Sequence, residues 1–307
     1  MQQKTLQKEQ PSSLLFDDTD PSIKQMKTFL QSQCAFYWRR LRWLLPIPVG
    51  LLLGYWAGKV LEVLNWQAQL YGETTAESIG GNALEAFIWA FGKPEIIYFV
   101  ATALLIYLVS DFLPAGAYEQ SILLRLGSRM QWWTAKVCLV VLSVLLYAAL
   151  LFGSFFLAVL PKYPFSAEWS GAGLNNFGIG LGYSLKNGTP LQGALWIAIF
   201  LLLGWFALGL LMLTINQLTR RGWPGFICAA LIVVSANLGS LGGGAVGGQG
   251  WERYFLIQNH LEYTPLWAPT RVIPEAVSLL FWLVWIVLCL VIGWRSAKRA
   301  DFLAMED

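Results

Sequence analysis

Four cysteines, one histidine and eighteen acidic residues are the groups with which this chain could do thiol, metal or acid–base chemistry. Their spacing argues against all three. Cys34, Cys138, Cys228 and Cys289 lie far apart, within or beside apolar stretches, and no CxxC pair occurs. That pattern predicts neither a disulfide framework nor structural zinc; lone cysteines of this kind read as small membrane-helix residues. His260, in a segment read as a loop, is the single histidine, and there is no HExxH sequence. An intramembrane protease needs several His and Glu side chains at membrane depth, so that chemistry is disfavoured. The glycine-rich GAGLNNFGIGLG, residues 171–182, has no strand before it and does not read as a dinucleotide site. GxxxxGK[ST], the loop that cradles nucleotide phosphates, is absent too. The chain is therefore expected to hold no catalytic centre, no metal, no cofactor of its own and no nucleic acid.

The elements that must carry any function are apolar. Hydrophobic residues make up 56% of the 307 positions and charged residues only 13%, about half the share a water-facing surface requires. Six apolar stretches stand out: about Trp43–Leu64, Ile96–Leu113, Val137–Leu160, Leu191–Leu218, Phe226–Leu241 and Ala276–Trp294. At 1.5 Å per helical residue most can cross a hydrocarbon layer of about 30 Å. The fifth is the weakest, because it runs into GSLGGGAVGGQG. The expected fold is an all-α integral membrane protein with about six transmembrane helices over residues 43–294.

Lysine and arginine give the orientation. Through Arg42 there are seven, between the second and third spans Arg125, Arg129 and Lys136, between the fourth and fifth Arg220 and Arg221, and after the sixth Arg295, Lys298 and Arg299. These fifteen of the chain's 21 fall on one side, which predicts cytosolic N and C termini in a multi-pass plasma-membrane protein. Lys59 lies about 24 Å along the first span and can snorkel to the outer headgroups; Asp111, near the inner end of the second span, is read the same way. Trp38, Trp43, Trp132, Trp133, Trp223 and Trp294 read as interfacial anchors, joined by Lys136.

Residues 1–21 are polar, contain no signal-peptide pattern and read as a disordered cytosolic tail; residues 295–307 read as a second cytosolic tail. Residues 22–42 have apolar side chains at helical spacing amid Lys24, Lys27, Arg39, Arg40 and Arg42, which predicts an amphipathic helix in the inner interface, the other reading being the solvated start of a transmembrane helix. The outer loops are placed at 65–95, 161–190 and 239–275; within the first, ALEAFIWAF is expected to lie on the outer interface.

The most informative segment is the cytosolic loop 115–136. After Pro114 and Gly116 a short run mixes apolar residues with Glu119 and Arg125, and Ser121, Arg125 and Arg129 fall on one edge at fourfold spacing. Arg125, Gly127, Ser128, Arg129, Trp132, Trp133, Ala135 and Lys136 form the pattern R-x-GSR-x-x-WW-x-AK. The pattern resembles the intracellular loop of ABC-2-type permeases, the membrane subunits of type V-like ATP-binding-cassette exporters. The layout of an amphipathic helix, six spans and two inner termini is similar as well. The resemblance implies that Glu119, Ser121, Arg125, Gly127, Ser128 and Arg129 form a coupling helix seated in a groove of a separate ATPase subunit, which binds the ATP and Mg. It implies a second permease copy or paralogue, and an amphipathic peptide, antibiotic or lipid as cargo. A segment re-entering the membrane between the last two spans is also implied, at about residues 238–275. Two other readings stay open: a non-transporting membrane scaffold, and an ion-coupled carrier, which would need acidic residues at mid-membrane.

Overall fold

The computed structural model describes residues 21–38, 40–70, 80–110, 129–170, 188–241, 251–262 and 273–299. Among these there is no strand. The helices are α1 (Pro21–Trp38), α2 (Pro46–Leu70), α3 (Ala83–Phe91), α4 (Ala103–Val109), α5 (Arg129–Val159), α6 (Pro190–Thr219), α7 (Pro224–Leu241), α8 (Gln258–Leu261) and α9 (Glu275–Arg299). Residues 1–20 and 300–307 of the two tails and the segment 111–128, with Asp111, Glu119, Ser121, Arg125, Gly127 and Ser128, lie outside the described residues, whereas residues 295–299 of the expected tail are the last turn of α9.

Length and composition make four of these elements able to cross a membrane: Leu41–Trp66, α5, α6 and α9. A fifth crossing exists if α3 and the following Ile96–Val109 form one span broken by a bend of 93°. The described apolar part of α7, Pro224–Ala236, is shorter than a full crossing. Among the described residues the count is thus four to five, where six are expected for the chain. What surrounds the bundle is legible in its surface. The α9 window has a mean hydropathy of 2.7, yet only 28% of it is enclosed by the rest of the chain. Leu280, Leu283, Val284, Val287 and Leu288 all face outward. An apolar surface of that extent on helices of that length belongs in lipid.

Close packing follows from small residues. Gly50 and Gly54 on α2 lie against α5, where a β-carbon would collide with Ser154 Oγ, the Leu151 carbonyl and the Phe155 carbonyl. The G-x-x-x-G spacing lets two backbones meet without hydrophobic driving force, which lipid cannot supply. The ends of α6 are equally local in origin. Thr189 Oγ1 accepts from Gln192 N at 3.2 Å, with Pro190 opening the helix. Beyond the other end Arg220 turns left-handed at φ 55° and Asn216 ties the turn, accepting from Gly225 N at 2.7 Å and donating to Gly222 O at 2.9 Å.

Two expectations are corrected. ALEAFIWAF is indeed a helix, α3, but all nine of its residues are buried in the bundle rather than lying on an outer surface. Its one polar side chain, Glu85, turns back to cap the helix start, and the other eight are apolar, so little is left to face water. Phe87 packs against Phe152, Phe155 and Phe156, and Trp89 against Trp56. The helix α1 also differs from an in-plane interfacial helix. Gln33 meets Lys136 and Trp38 meets Ser143, so the two helices advance in the same direction and α1 runs alongside α5.

Candidate functional site

Polar side chains gather in two places. The first is around the bend between α3 and α4, where Ile96–Thr102 winds as a π-helix. A π-turn takes carbonyls off the ordinary helical ladder, and they need other partners. Tyr147 on α5 donates its hydroxyl to Ala101 O at 2.6 Å. Trp205 on α6 donates to Thr102 Oγ1 at 3.0 Å, and Tyr98 donates to Glu262 Oε1 at 2.9 Å. Glu262, only 6% exposed, sits beside His260, which is fully enclosed. His260 Nε2 lies 3.0 Å from Tyr254 O and Nδ1 3.0 Å from Ser278 Oγ, and the ring stacks on Phe281. A carbonyl can only accept, so Nε2 carries the proton and Nδ1 accepts from the serine. Burial pushes the imidazole below its usual pKa and keeps it neutral.

Glu85, on α3, is the other enclosed carboxylate among the described residues, at 0% exposure. It accepts from Asn82 N at 3.1 Å, Ser170 N at 2.6 Å and Ser170 Oγ at 2.7 Å, while Asn82 Oδ1 accepts from Glu85 N at 2.9 Å. This capping box starts α3 and pins residue 170 to it. Its donors are all occupied by structure. Lys59, expected to snorkel, is paired with Glu62 at 3.0 Å, and Glu62 is shared with Lys162.

The second place is the basic end of the bundle. There α6 and α9 run parallel: Thr214 Oγ1 bonds the Cys289 carbonyl at 3.2 Å, and Arg220 arrives beside Arg295 and Arg299. The start of α5 joins them. Arg129 Nη1 donates to the Lys298 carbonyl at 3.1 Å, occupying an otherwise orphaned group at the α9 terminus and placing a cation at its negative pole. Trp132 and Trp133, expected at the membrane surface, are enclosed by protein at 1% and 3% exposure, with Trp133 seated on Gly293. Lys136 is enclosed too, at 1%, and donates to Gln33 Oε1 at 3.3 Å. Trp133 and Lys136 therefore tie α5 to α9 and α1, and Trp132 is enclosed with them instead of facing headgroups.

Of the residues singled out in the sequence, the described ones, Arg129, Trp132, Trp133 and Lys136, share one helix end. The buried Glu262 and His260 were missed because residues 239–275 were read as an outer loop. A signal was present: WERYFLIQNHLE carries too many large apolar side chains for a solvated loop. Among the described residues no group of three His, Cys, Asp or Glu side chains is placed to hold a metal, and the four cysteines are free.

The fold and these two polar regions define a multi-pass, all-helical, membrane-embedded protein. No known protein family, curated protein or solved structure matches the chain.

Proposed function

We propose that the chain is the membrane subunit of an ATP-binding-cassette exporter, working in a bacterial-type plasma membrane with a second permease copy or paralogue. A separate ATPase grips residues 115–136 on the cytosolic face. The observation that carries this reading is the bond from Arg129 to the Lys298 carbonyl. The segment offered to the ATPase leads directly into α5, a helix of 31 residues or about 46 Å. Any displacement of the segment enters α5 at Arg129 and is shared at once with α9. Enclosed Trp132, Trp133 and Lys136 stiffen the same joint, so a pull on the loop moves helices rather than bending a side chain. The apolar faces of the long helices suit an amphipathic peptide, antibiotic or lipid as cargo.

The double variant Arg125→Glu, Arg129→Glu tests this. In membranes holding both subunits it is expected to abolish ATP-driven transport while leaving ATP hydrolysis by the partner intact or uncoupled. Full transport by the variant would remove the reading. The ion-coupled carrier gains one observation, the enclosed Glu262 bonded to Tyr98. It predicts that Glu262→Gln abolishes uptake driven by an imposed ion gradient without any nucleotide; the exporter reading predicts no such uptake in the unaltered protein.

A further inference from the structure

The cleft between the ends of α6 and α9 has a cavity of about 280 Å³ and is lined by Gln217, Leu218, Arg220, Ile292, Arg295 and Arg299 among others. Three guanidinium groups thus share one small opening. No hydrogen bond or ion pair engages Arg220, Arg295 or Arg299 among the described residues. The neighbouring helices offer no counter-charge: α5, α6 and α7 contain no carboxylate, and α9 has only Glu275 at its opposite end.

A second observation points to a ligand. Gln217, 4% exposed, lines the cleft, and its side-chain nitrogen is buried without a hydrogen-bond partner. An orphaned buried donor costs roughly 1–3 kcal/mol unless something accepts from it. Arg220 adds a backbone held at positive φ, which is unfavourable for any residue with a β-carbon and directs it to this turn. Three cations, the Gln217 amide and the Ser296 hydroxyl line the cleft with no carboxylate among them, so the occupant that suits it is an acceptor-rich anion. Phosphate oxygens match arginine forks in geometry as well as charge.

The depth of the cleft selects the source of that phosphate. Leu218 and Ile292 are 55% and 43% exposed and continue the outward apolar surface of their helices up to its rim. Trp294 stands at the same level, with Lys298 Nζ 5.0 Å from its ring centroid. Outward apolar side chains giving way to tryptophan and arginine mark the boundary between hydrocarbon and headgroups. We propose that this cleft is a binding site for the phosphate headgroup of an anionic phospholipid, whose acyl chains lie along the outward faces of Leu218 and Ile292. Basic pockets between spans on the positively charged side are the kind of site that anionic headgroups occupy. The cavity is large enough for a headgroup and too small for a whole lipid. The inference is independent of the transport reading.

Native mass spectrometry of the full chain released from nanodiscs of equal phosphatidylglycerol and phosphatidylcholine tests it. The unaltered protein should retain phosphatidylglycerol in preference, and Arg295→Gln with Arg299→Gln should lower that preference about thirtyfold. Gln217→Leu keeps the bulk, removes the donor and should lower it about fivefold, which reads the same site if the double variant does not fold. Lys59→Gln with Lys162→Gln, at the opposite end, should leave it unchanged. Equal retention by the unaltered protein and the arginine variants would overturn the proposal. So would displacement of the lipid by millimolar inorganic phosphate, which would make a soluble phosphate the ligand.

Discussion

Glu85, His260, Tyr147 and Trp205 on one side and the arginines at the ends of α6 and α9 on the other treat the same problem in opposite ways, although Gln258 Nε2, next to His260, is also buried without a partner. Glu85, His260, Tyr147 and Trp205 are enclosed, and each is matched to a partner within the chain. Arg220, Arg295 and Arg299 are gathered around a cavity without one among the described residues. Matched groups in a bundle fix its shape, since each would cost free energy if left alone in a low dielectric. Unmatched donors at a lipid boundary are available to something else. The first region is architecture and the second is reactive surface, and variants should separate them by stability.

The largest stability loss is expected from Glu85→Ala. It strands the amides of Asn82 and Ser170 inside the protein, and the thermal midpoint in detergent should fall by the equivalent of about 3 kcal/mol or more. A variant as stable as the parent would mean that α3 is not held by its cap. Next comes acid. His260 is neutral in the fold and its pKa lies below the usual value, so the unfolded chain binds the proton more readily. Its contribution is complete well above about pH 6.5 and is lost as pH falls through that value. The midpoint should drop below pH 6.5 in the parent and lose this part of its pH dependence in His260→Phe; an unchanged profile would contradict the neutral assignment.

Smaller still is Tyr147→Phe, which removes one hydroxyl from the Ala101 carbonyl of the π-turn and should cost about 1 kcal/mol. At the end of the series, Arg299→Gln should leave the midpoint in place, because among the described residues that side chain has no partner to lose. A pronounced destabilisation there would erase the distinction between the two regions.

How much of this was readable in residues alone depends on the length of each signal. The helices α5, α6 and α9 announce themselves because some twenty consecutive apolar residues admit few other solutions. The helix α3 has only nine described residues, too few to reveal whether it lies on a membrane or inside a bundle. Its burial depends on the phenylalanines of α5, about 65 positions away. The direction of α1 was hidden for a related reason: Lys136 looked like a surface anchor, whereas its bond to Gln33 draws α1 along α5. Arg220, Arg295 and Arg299 were visible as an orientation signal. That they share one cleft follows only from the parallel course of α6 and α9, which no local pattern encodes. The Gly50–Gly54 spacing was present in the sequence and states a helix contact, but not which helix answers it.

The most direct trial of the account is a photo-crosslinking side chain in place of Arg125, activated in native membranes. The reading of this segment as a handle for an external motor predicts a covalent product with a nucleotide-hydrolysing subunit, its yield changing when ATP is trapped. Products with lipid or with the chain itself alone, whatever the nucleotide, would contradict it.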